Sequence, residues 1–548
     1  MVTVPESLSR RSLLKGGVAA AGIGAAATVP STFFATKAQA TSATFRHGVA
    51  SGDPLPNGVI IWTRIESGGN DVDVQWEVAG DDRFDSIAAS GTATATASSD
   101  HTVKIDVTGL APATNYWYRF TVQGTNQVSP TGRTRTAPAA DADLDRLRFG
   151  VVSCSNWEAG FFSAYRHLAA RTDLDAIVHL GDYLYEYKRG EFGGRDGVVR
   201  QHDPAHEIVS LADYRTRHAQ YKTDPDLAAL HARLPFICTW DDHETANDAY
   251  RDGAENHTPA TEGDWHARRA AAMQAYLEWM PVRASGSGRD ARLYRRLRFG
   301  TLAELSMLDL RSYRSEQVTP GAGWRSVDAP DRSITGAAQL DWLTKGVTTA
   351  PTSWRLVGNP VMIAPLVVPP LEPATTAAVT AALGIPQSGI PVNVDQWDGY
   401  TADRRRLFDA IDTDGVDNVV FLTGDIHSSW AADLPLDAAS YPAGKTVGVE
   451  FVVPSITSSS PGDFLKAPPR TAAIPAEAAI TSINRHIRYA ELDSHGYGVL
   501  DVTPAAAQMD WFYVTDVADP NAAVRHGASL ATQSGIGRLQ SRSAPVPQ

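Results

Sequence analysis

A chain of 548 residues with 43% hydrophobic and 20% charged residues has an ordinary globular composition, too long for one small core and long enough for about two to four domains. Its formal charge is −13. Residues 1–40 carry a net +3 from Arg10, Arg11, Lys15 and Lys37 against Glu6, so the remainder lies near −16, and a surface that acidic argues against nucleic-acid or anionic-membrane binding as the main role.

The chain begins with Ser9-Arg10-Arg11-Ser12-Leu13-Leu14-Lys15, then an Ala- and Gly-rich apolar segment from Gly16 to Val29, then Ala38-Gln39-Ala40. This pattern predicts a twin-arginine signal peptide over residues 1–40, cleaved after Ala40. The segment is too short and too rich in small residues for a transmembrane anchor. The expected product is secreted or extracytoplasmic, with the twin-arginine export machinery as partner of the precursor.

Residues 44–137 alternate apolar and polar in short runs, among them Val59–Thr63, Val72–Val78, Thr102–Val107 and Tyr116–Val122. They predict a supporting all-β domain similar to a fibronectin type III sandwich, with Leu110–Tyr116 as a tyrosine corner. Beyond an Ala/Pro/Asp linker around residues 136–143 the pattern changes. Apolar strands alternate with helical spacing at Phe161–Leu168, Tyr214–Leu234 and Trp265–Met280, so residues 144–515 read as an α/β domain of two sheets packed between helices. Leu366 to Gln396, rich in Pro, Ala and Thr, interrupts the strand series and reads as an insertion that covers a site. Residues 516–548 are polar, small and aperiodic, which predicts a loosely held tail.

Four strands of the α/β domain run into residues that bind metals. Leu147–Val152 leads to Ser153-Cys154, and Ala176-Ile177-Val178 to Gly181-Asp182-x-x-Tyr185. Pro235–Trp240 leads to Asp241-Asp242-His243-Glu244, and Val419–Thr423 to Gly424-Asp425-x-His427. Open α/β sheets keep their chemistry at such strand ends. Thiolate, carboxylate, phenolate and imidazole together suit a hard or borderline transition metal beside a second cation. The two cysteines, Cys154 and Cys238, lie on strands expected to be neighbours, which leaves a disulfide open. Cys154 sits among polar residues and reads as a ligand, whereas Cys238 lies in an apolar run and reads as an inert buried thiol.

Taken in this order, the four motifs resemble the alkaline phosphatase D family of calcineurin-like metallophosphoesterases, similar in site layout to purple acid phosphatases. The resemblance runs from about residue 44 to about residue 515, because His47-Gly48-Val49-Ala50-Ser51-Gly52-Asp53-Pro54 matches as well. It implies a two-sheet αββα sandwich behind the β domain, and hydrolysis of phosphate esters at one ferric ion and calcium.

The resemblance makes Cys154, Asp182, Tyr185 and His427 the iron shell, with Asp182 bridging the metals. Asp242 and Asp425 stand where related enzymes have nitrogen-bearing or amide ligands, and their oxygens suit calcium. Asn359 occupies another ligand position, or is a turn-forming Asn before Pro. Asp241 orients ligands or binds further calcium. His243 would bond the phosphate or protonate the leaving oxygen, while Arg311 and Arg314 would pair with phosphate or form ion pairs within the fold. The expected reaction is in-line attack by hydroxide made available at the metal, with no covalent phosphoenzyme. The rival readings are a phospholipase D-like phosphodiesterase of the same family and a non-enzymatic surface binding protein with a degenerate phosphatase domain.

Overall fold

The computed structural model describes residues 43–286, 291–319, 322–368, 390–466 and 468–548. The signal peptide reading and most of the Leu366–Gln396 insertion lie outside the described residues. The first seven strands are β1 (Val49–Leu55), β2 (Gly58–Arg64), β3 (Val72–Ala79), β4 (Ile87–Ala95), β5 (Thr102–Thr108), β6 (Asn115–Val122) and β7 (Gly132–Arg135). β8 (Leu147–Val152), β9 (Ala176–His179), β10 (Phe236–Cys238), β11 (Arg295–Phe299), β12 (Ala303–Met307) and β13 (Trp354–Asn359) follow. The rest are β14 (Val367–Val368), β15 (Ile390–Pro391), β16 (Val419–Thr423), β17 (Ser429–Pro435), β18 (Thr446–Val452), β19 (Ile487–Glu491), β20 (Gly496–Val502), β21 (Ala506–Val514), β22 (Val524–Gln533) and β23 (Leu539–Ser541).

Two large sheets carry the fold, one in the order β23-β22-β21-β20-β8-β9-β10-β1-β2-β5 and one in the order β11-β12-β13-β16-β18-β17-β19. Alternation along the strands sorts their side chains into layers. Val151 and Val178 of the first sheet and Val420 and Leu422 of the second meet in one core between the sheets. Val152 and Ile177 face the other way, onto helices Ser163–Ala170, Leu211–Tyr221, Pro225–Arg233 and Trp265–Trp279. Val419 and Phe421 face helices Ala337–Thr349 and Thr401–Thr413. The architecture is the αββα sandwich.

The all-β unit expected over 44–137 forms, and it is joined to the α/β unit: β1 pairs in parallel with β10 and brings β2 and β5 into the ten-stranded sheet. Their apolar faces pack on the four-stranded sheet β4-β3-β6-β7, so one layer of the β unit is continuous with the α/β unit. The tyrosine corner does form, with the Ala111 amide donating to Tyr116 Oη at 2.9 Å.

Residues 516–548, expected as a loose tail, are ordered strands instead. β22 pairs with β21 and β23 with β22, and Leu530 and Leu539 are buried in the central core. Their strands are short of strong alternation, so the apolar positions that anchor them are too sparse to announce themselves. Finally, the helical pattern at Tyr214–Leu234 divides at Asp224-Pro225, where Asp224 caps the second helix and Pro225 opens it.

Candidate metal centre

The carboxyl ends of β8, β9, β10 and β16, all interior strands, converge at one end of the two packed sheets. Gly424 permits the approach, since a Cβ there would stand 2.6 Å from Ser153 Oγ. Gly181 does the same on the first sheet: its φ is +104°, and a Cβ would stand 2.7 Å from the Asp241 amide nitrogen. Beyond these glycines the chain turns sharply. Cys154, Asp182, Asp425 and His427 all adopt left-handed backbone conformations, with φ of 61°, 53°, 65° and 52°. Such conformations cost a non-glycine residue of order 1 kcal/mol or more and persist where the surroundings impose them.

Three donor groups result, each with its ligand atoms within 4.8 Å of one another: Cys154, Asp182 and His427; Asp182, Asp242 and His243; and Asp182, Asp241, Asp242 and Asp425. Asp182 belongs to all three, and every member is buried. Tyr185 joins the first group. Its hydroxyl donates to Asp182 Oδ2 at 3.0 Å, lies 3.2 Å from His427 Nε2 and accepts from Ser458 Oγ at 2.7 Å. Cys154 Sγ lies 3.4 Å from Asp182 Oδ2. Burial first and the Asp182 carboxylate second push the Cys154 thiol well above its ordinary value, so thiolate becomes the stable form there only beside a cation.

Charge makes the same demand. Asp182, Asp241, Asp242 and Asp425 are buried together, and the guanidinium of Arg311 reaches them, 3.7 Å from Asp242 and 3.9 Å from Asp425. Arg311 is itself held bidentately, with Nε and Nη2 at 2.5 and 3.1 Å from Asp241 and with Nη1 and Nη2 at 2.9 and 3.0 Å from Asp395. One guanidinium cannot balance that many buried carboxylates, and buried charges are paired or bind metal. The donor set therefore fits metal cations.

Arg311 and Arg314, expected as phosphate partners, take their other reading. Arg314 donates to the carbonyl oxygen of Asp395 at 2.9 Å and to its carboxylate at 2.6 Å, so both guanidinium groups are clamped within the protein. Asn359 likewise spends its amide elsewhere. Nδ2 donates to the Val361 carbonyl at 2.5 Å and to Thr423 Oγ1 at 3.1 Å, while Oδ1 accepts from the Trp397 indole at 3.0 Å. Cys154 and Cys238 are free thiols, and they are not on neighbouring strands. β9 runs between β8 and β10, which separates the two sulfurs by about two strand spacings, beyond disulfide reach.

His243 lies against Tyr185, with ring centroids 4.2 Å apart, and its Nδ1 is 2.8 Å from Glu186 Oε2. Burial disfavours its charged form, but Asp242, Glu186 and Asp182 outweigh burial and raise its pKa to about 10. Sequence reasoning passed over two glutamates that hold this arrangement. Glu186 also accepts from the Asn247 amide at 2.8 Å. Glu244 accepts from the backbone amides of Asp182, Tyr183 and Asp241 at 3.0, 2.6 and 2.8 Å. Each closes one of the ligand motifs, which is the signal that could have found them. Asp395 and Trp397 offered none, because their part depends on the chain returning to the centre after the insertion.

Tyr185, His243 and His427 line a cavity of about 340 Å³ together with Phe192, Phe464, Leu465 and Lys466. No described helix is long and apolar enough to cross a membrane.

Comparison with known proteins gives concordant results. Residues 149–511 match the family model of the PhoD-like phosphatase, and residues 28–138 match that of the PhoD-like phosphatase N-terminal domain. The chain is 36% identical to alkaline phosphatase D of Bacillus subtilis (strain 168), over 98% of this chain and 90% of that protein. A solved structure of PhoD aligns with a TM-score of 0.82 at 35% identity, covering 92% of this chain and 94% of the other. A purple acid phosphatase from yellow lupin (Lupinus luteus) seeds aligns at 0.52 with 11% identity, over 88% of this chain and 73% of that one, and shares the fold.

Proposed function

The chain belongs to the PhoD-like phosphatase family and is by that membership a phosphoester hydrolase, and from that premise we propose that it is an exported enzyme acting on phosphate monoesters or diesters at iron(III) and calcium. The observation that carries the metal reading is Asp182, shared by three groups of converging donors. Cys154, Tyr185 and His427 would hold iron(III) with Asp182, because thiolate, phenolate and imidazole suit a borderline transition metal; Asp242 and Asp425 would hold calcium with Asp182, because oxygen donors suit a hard cation. When bound, the cations would neutralise the equatorial phosphate oxygens and lower the pKa of water.

The protein's own groups do the rest. Glu186 engages His243 Nδ1 and the ring lies against Tyr185, a position from which the imidazole would donate to a phosphate oxygen or to the departing alcohol. Ser458 and Asp182 fix the Tyr185 hydroxyl from either side. Arg311, pinned by Asp241 and Asp395, places a permanent positive charge behind the carboxylates without reaching the cavity. Asp241, the partner of Arg311, would orient these ligands or bind a further calcium with the four-carboxylate group to which it belongs.

The test is hydrolysis of monoesters and diesters with and without a calcium chelator, beside metal analysis of the parent and of Cys154→Ala and Cys238→Ala. Iron and activity should fall together in Cys154→Ala, with loss of a visible thiolate-to-iron absorption, and stay near the parent in Cys238→Ala. Parent-like iron in Cys154→Ala would overturn the ligand assignment. Export is the reading that Arg10-Arg11 before an Ala/Gly-rich segment supports. Cell fractionation should find the precursor of an Arg10→Lys, Arg11→Lys double variant retained in the cytoplasm.

A further inference from the structure

The cavity that Tyr185, His243 and His427 line is a place for the organic part of a phosphoester whose phosphorus sits at the candidate metal centre. Its volume of about 340 Å³ is at the small end of ligand pockets and has room for a ring-sized group. Its wall is aromatic. Tyr187 packs edge-on to His243 with centroids 5.2 Å apart, and Phe192 lies 3.9 Å from Tyr187. Phe464 and Leu465 line the same cavity, and Leu465 is 55% exposed, an apolar side chain with no core to fill.

The two walls are held apart by fixed polar contacts. Arg195, three residues beyond Phe192, donates to Asp463 Oδ1 at 2.8 Å, next to Phe464. Asp463 is braced in turn by His495 at 2.9 Å and by the Ser460 amide at 2.9 Å. On the opposite side the Asn156 amide group donates to the Phe192 carbonyl at 2.9 Å, and Gly194 lies so close to the backbone that a Cβ would meet the Ala159 carbonyl oxygen at 2.6 Å. The slot is thus preformed, so a flat ring entering it loses little freedom beyond its own.

Resting on the phosphoesterase reading, we propose that this slot selects esters whose alcohol part is aromatic, with Phe192, Phe464 and Leu465 as the residues that determine that specificity. A ring there meets offset or edge-on faces, the arrangements aromatic groups prefer, while the phosphorus stays beside His243. Lys466 has no carboxylate partner among the described residues and adds positive potential at the entrance.

The test uses the metal-loaded full-length protein and two non-hydrolysable probes, methylphosphonate and benzylphosphonate, read both as competitive inhibitors and by calorimetry. The parent should bind benzylphosphonate about tenfold more tightly than methylphosphonate. Phe192→Ala, Phe464→Ala and Leu465→Ala should each remove most of that preference, while methylphosphonate affinity changes by about twofold or less. Leu465→Ala guards against misfolding, because that side chain is exposed; metal content and circular dichroism check the other two. Equal affinities in the parent, or equal losses for both probes in the variants, would overturn the proposal. A parent that binds the phosphonates with this preference yet hydrolyses no ester would instead overturn the phosphoesterase reading.

Discussion

Glu244 joins two ligand-bearing turns through one carboxylate. Oε2 accepts from the amides of both Asp182 and Asp241, and Oε1 from that of Tyr183. Glu244→Gln must turn an NH2 toward at least one of these donors, and a buried amide left without an acceptor costs about 1–3 kcal/mol. The variant should therefore melt several degrees below the parent and purify with less bound metal, because Asp182 belongs to every donor group. Thermal unfolding and metal analysis check both. A lower melting temperature with parent-like metal content would show that Glu244 supports the fold without setting the ligand geometry.

Among the elements, the last two strands carry a stability consequence opposite to that of a tail. β21 presents Met509 and Trp511 to the central core, and β22 covers its outer edge over nine paired positions from Ala506↔Gln533 to Val514↔Val524. Ending the chain after Thr515 would leave β21 as a long apolar edge, open to pairing with other chains. The truncated protein should aggregate or lose several kcal/mol of stability. Size-exclusion chromatography and thermal unfolding decide, and a monomer melting with the parent would refute the structural role. The insertion belongs to this scale as well. Its described stem supplies Asp395 to Arg311 and places Gln396 Nε2 3.5 Å from Asp425 Oδ2, so the stem contacts the donor groups although it holds none of the expected ligands.

At the scale of the whole molecule, Lys222 marks where the N-terminal strands, the outer helices and the central sheet meet. Its ammonium lies 3.0 Å from His231 Nε2 and over the rings of Trp62 and Tyr183 at 5.0 and 5.1 Å. Burial lowers its pKa from the ordinary 10.5 to about 7, with only the Cys238 thiol acting in the other direction. Between those values the unfolded chain binds a proton that the folded chain does not, so stability rises with pH across the window and is flat outside it. The full gain is bounded at about 5 kcal/mol. Denaturant unfolding from pH 7 to pH 10 should show this rise in the parent and a flatter profile in Lys222→Met. Parallel profiles would mean that Lys222 holds its charge inside the protein.

The sequence by itself determined what is local. Apolar runs ending in Cys154, Asp182-x-x-Tyr185, Asp241-Asp242-His243 and Asp425-x-His427 encode both the strands and the donors at their ends, because strand period and chemical type are properties of adjacent residues. Tertiary structure decided what depends on partners distant along the chain. Arg311 and Arg314 read equally as phosphate partners or as ion pairs until Asp395, some eighty residues later, is seen to bind them; Asn359 reads equally as a ligand or a turn residue until its amide is seen to bond Val361, Thr423 and Trp397. Cys154 and Cys238 read as neighbours until β9 is found between their strands. That the N-terminal β unit shares a sheet with the α/β unit appears only when β1 pairs with β10. In each case the residue's chemistry is fixed by its type, but its role is fixed by which buried group needs that hydrogen bond or charge, and burial exists only once the sheets have packed.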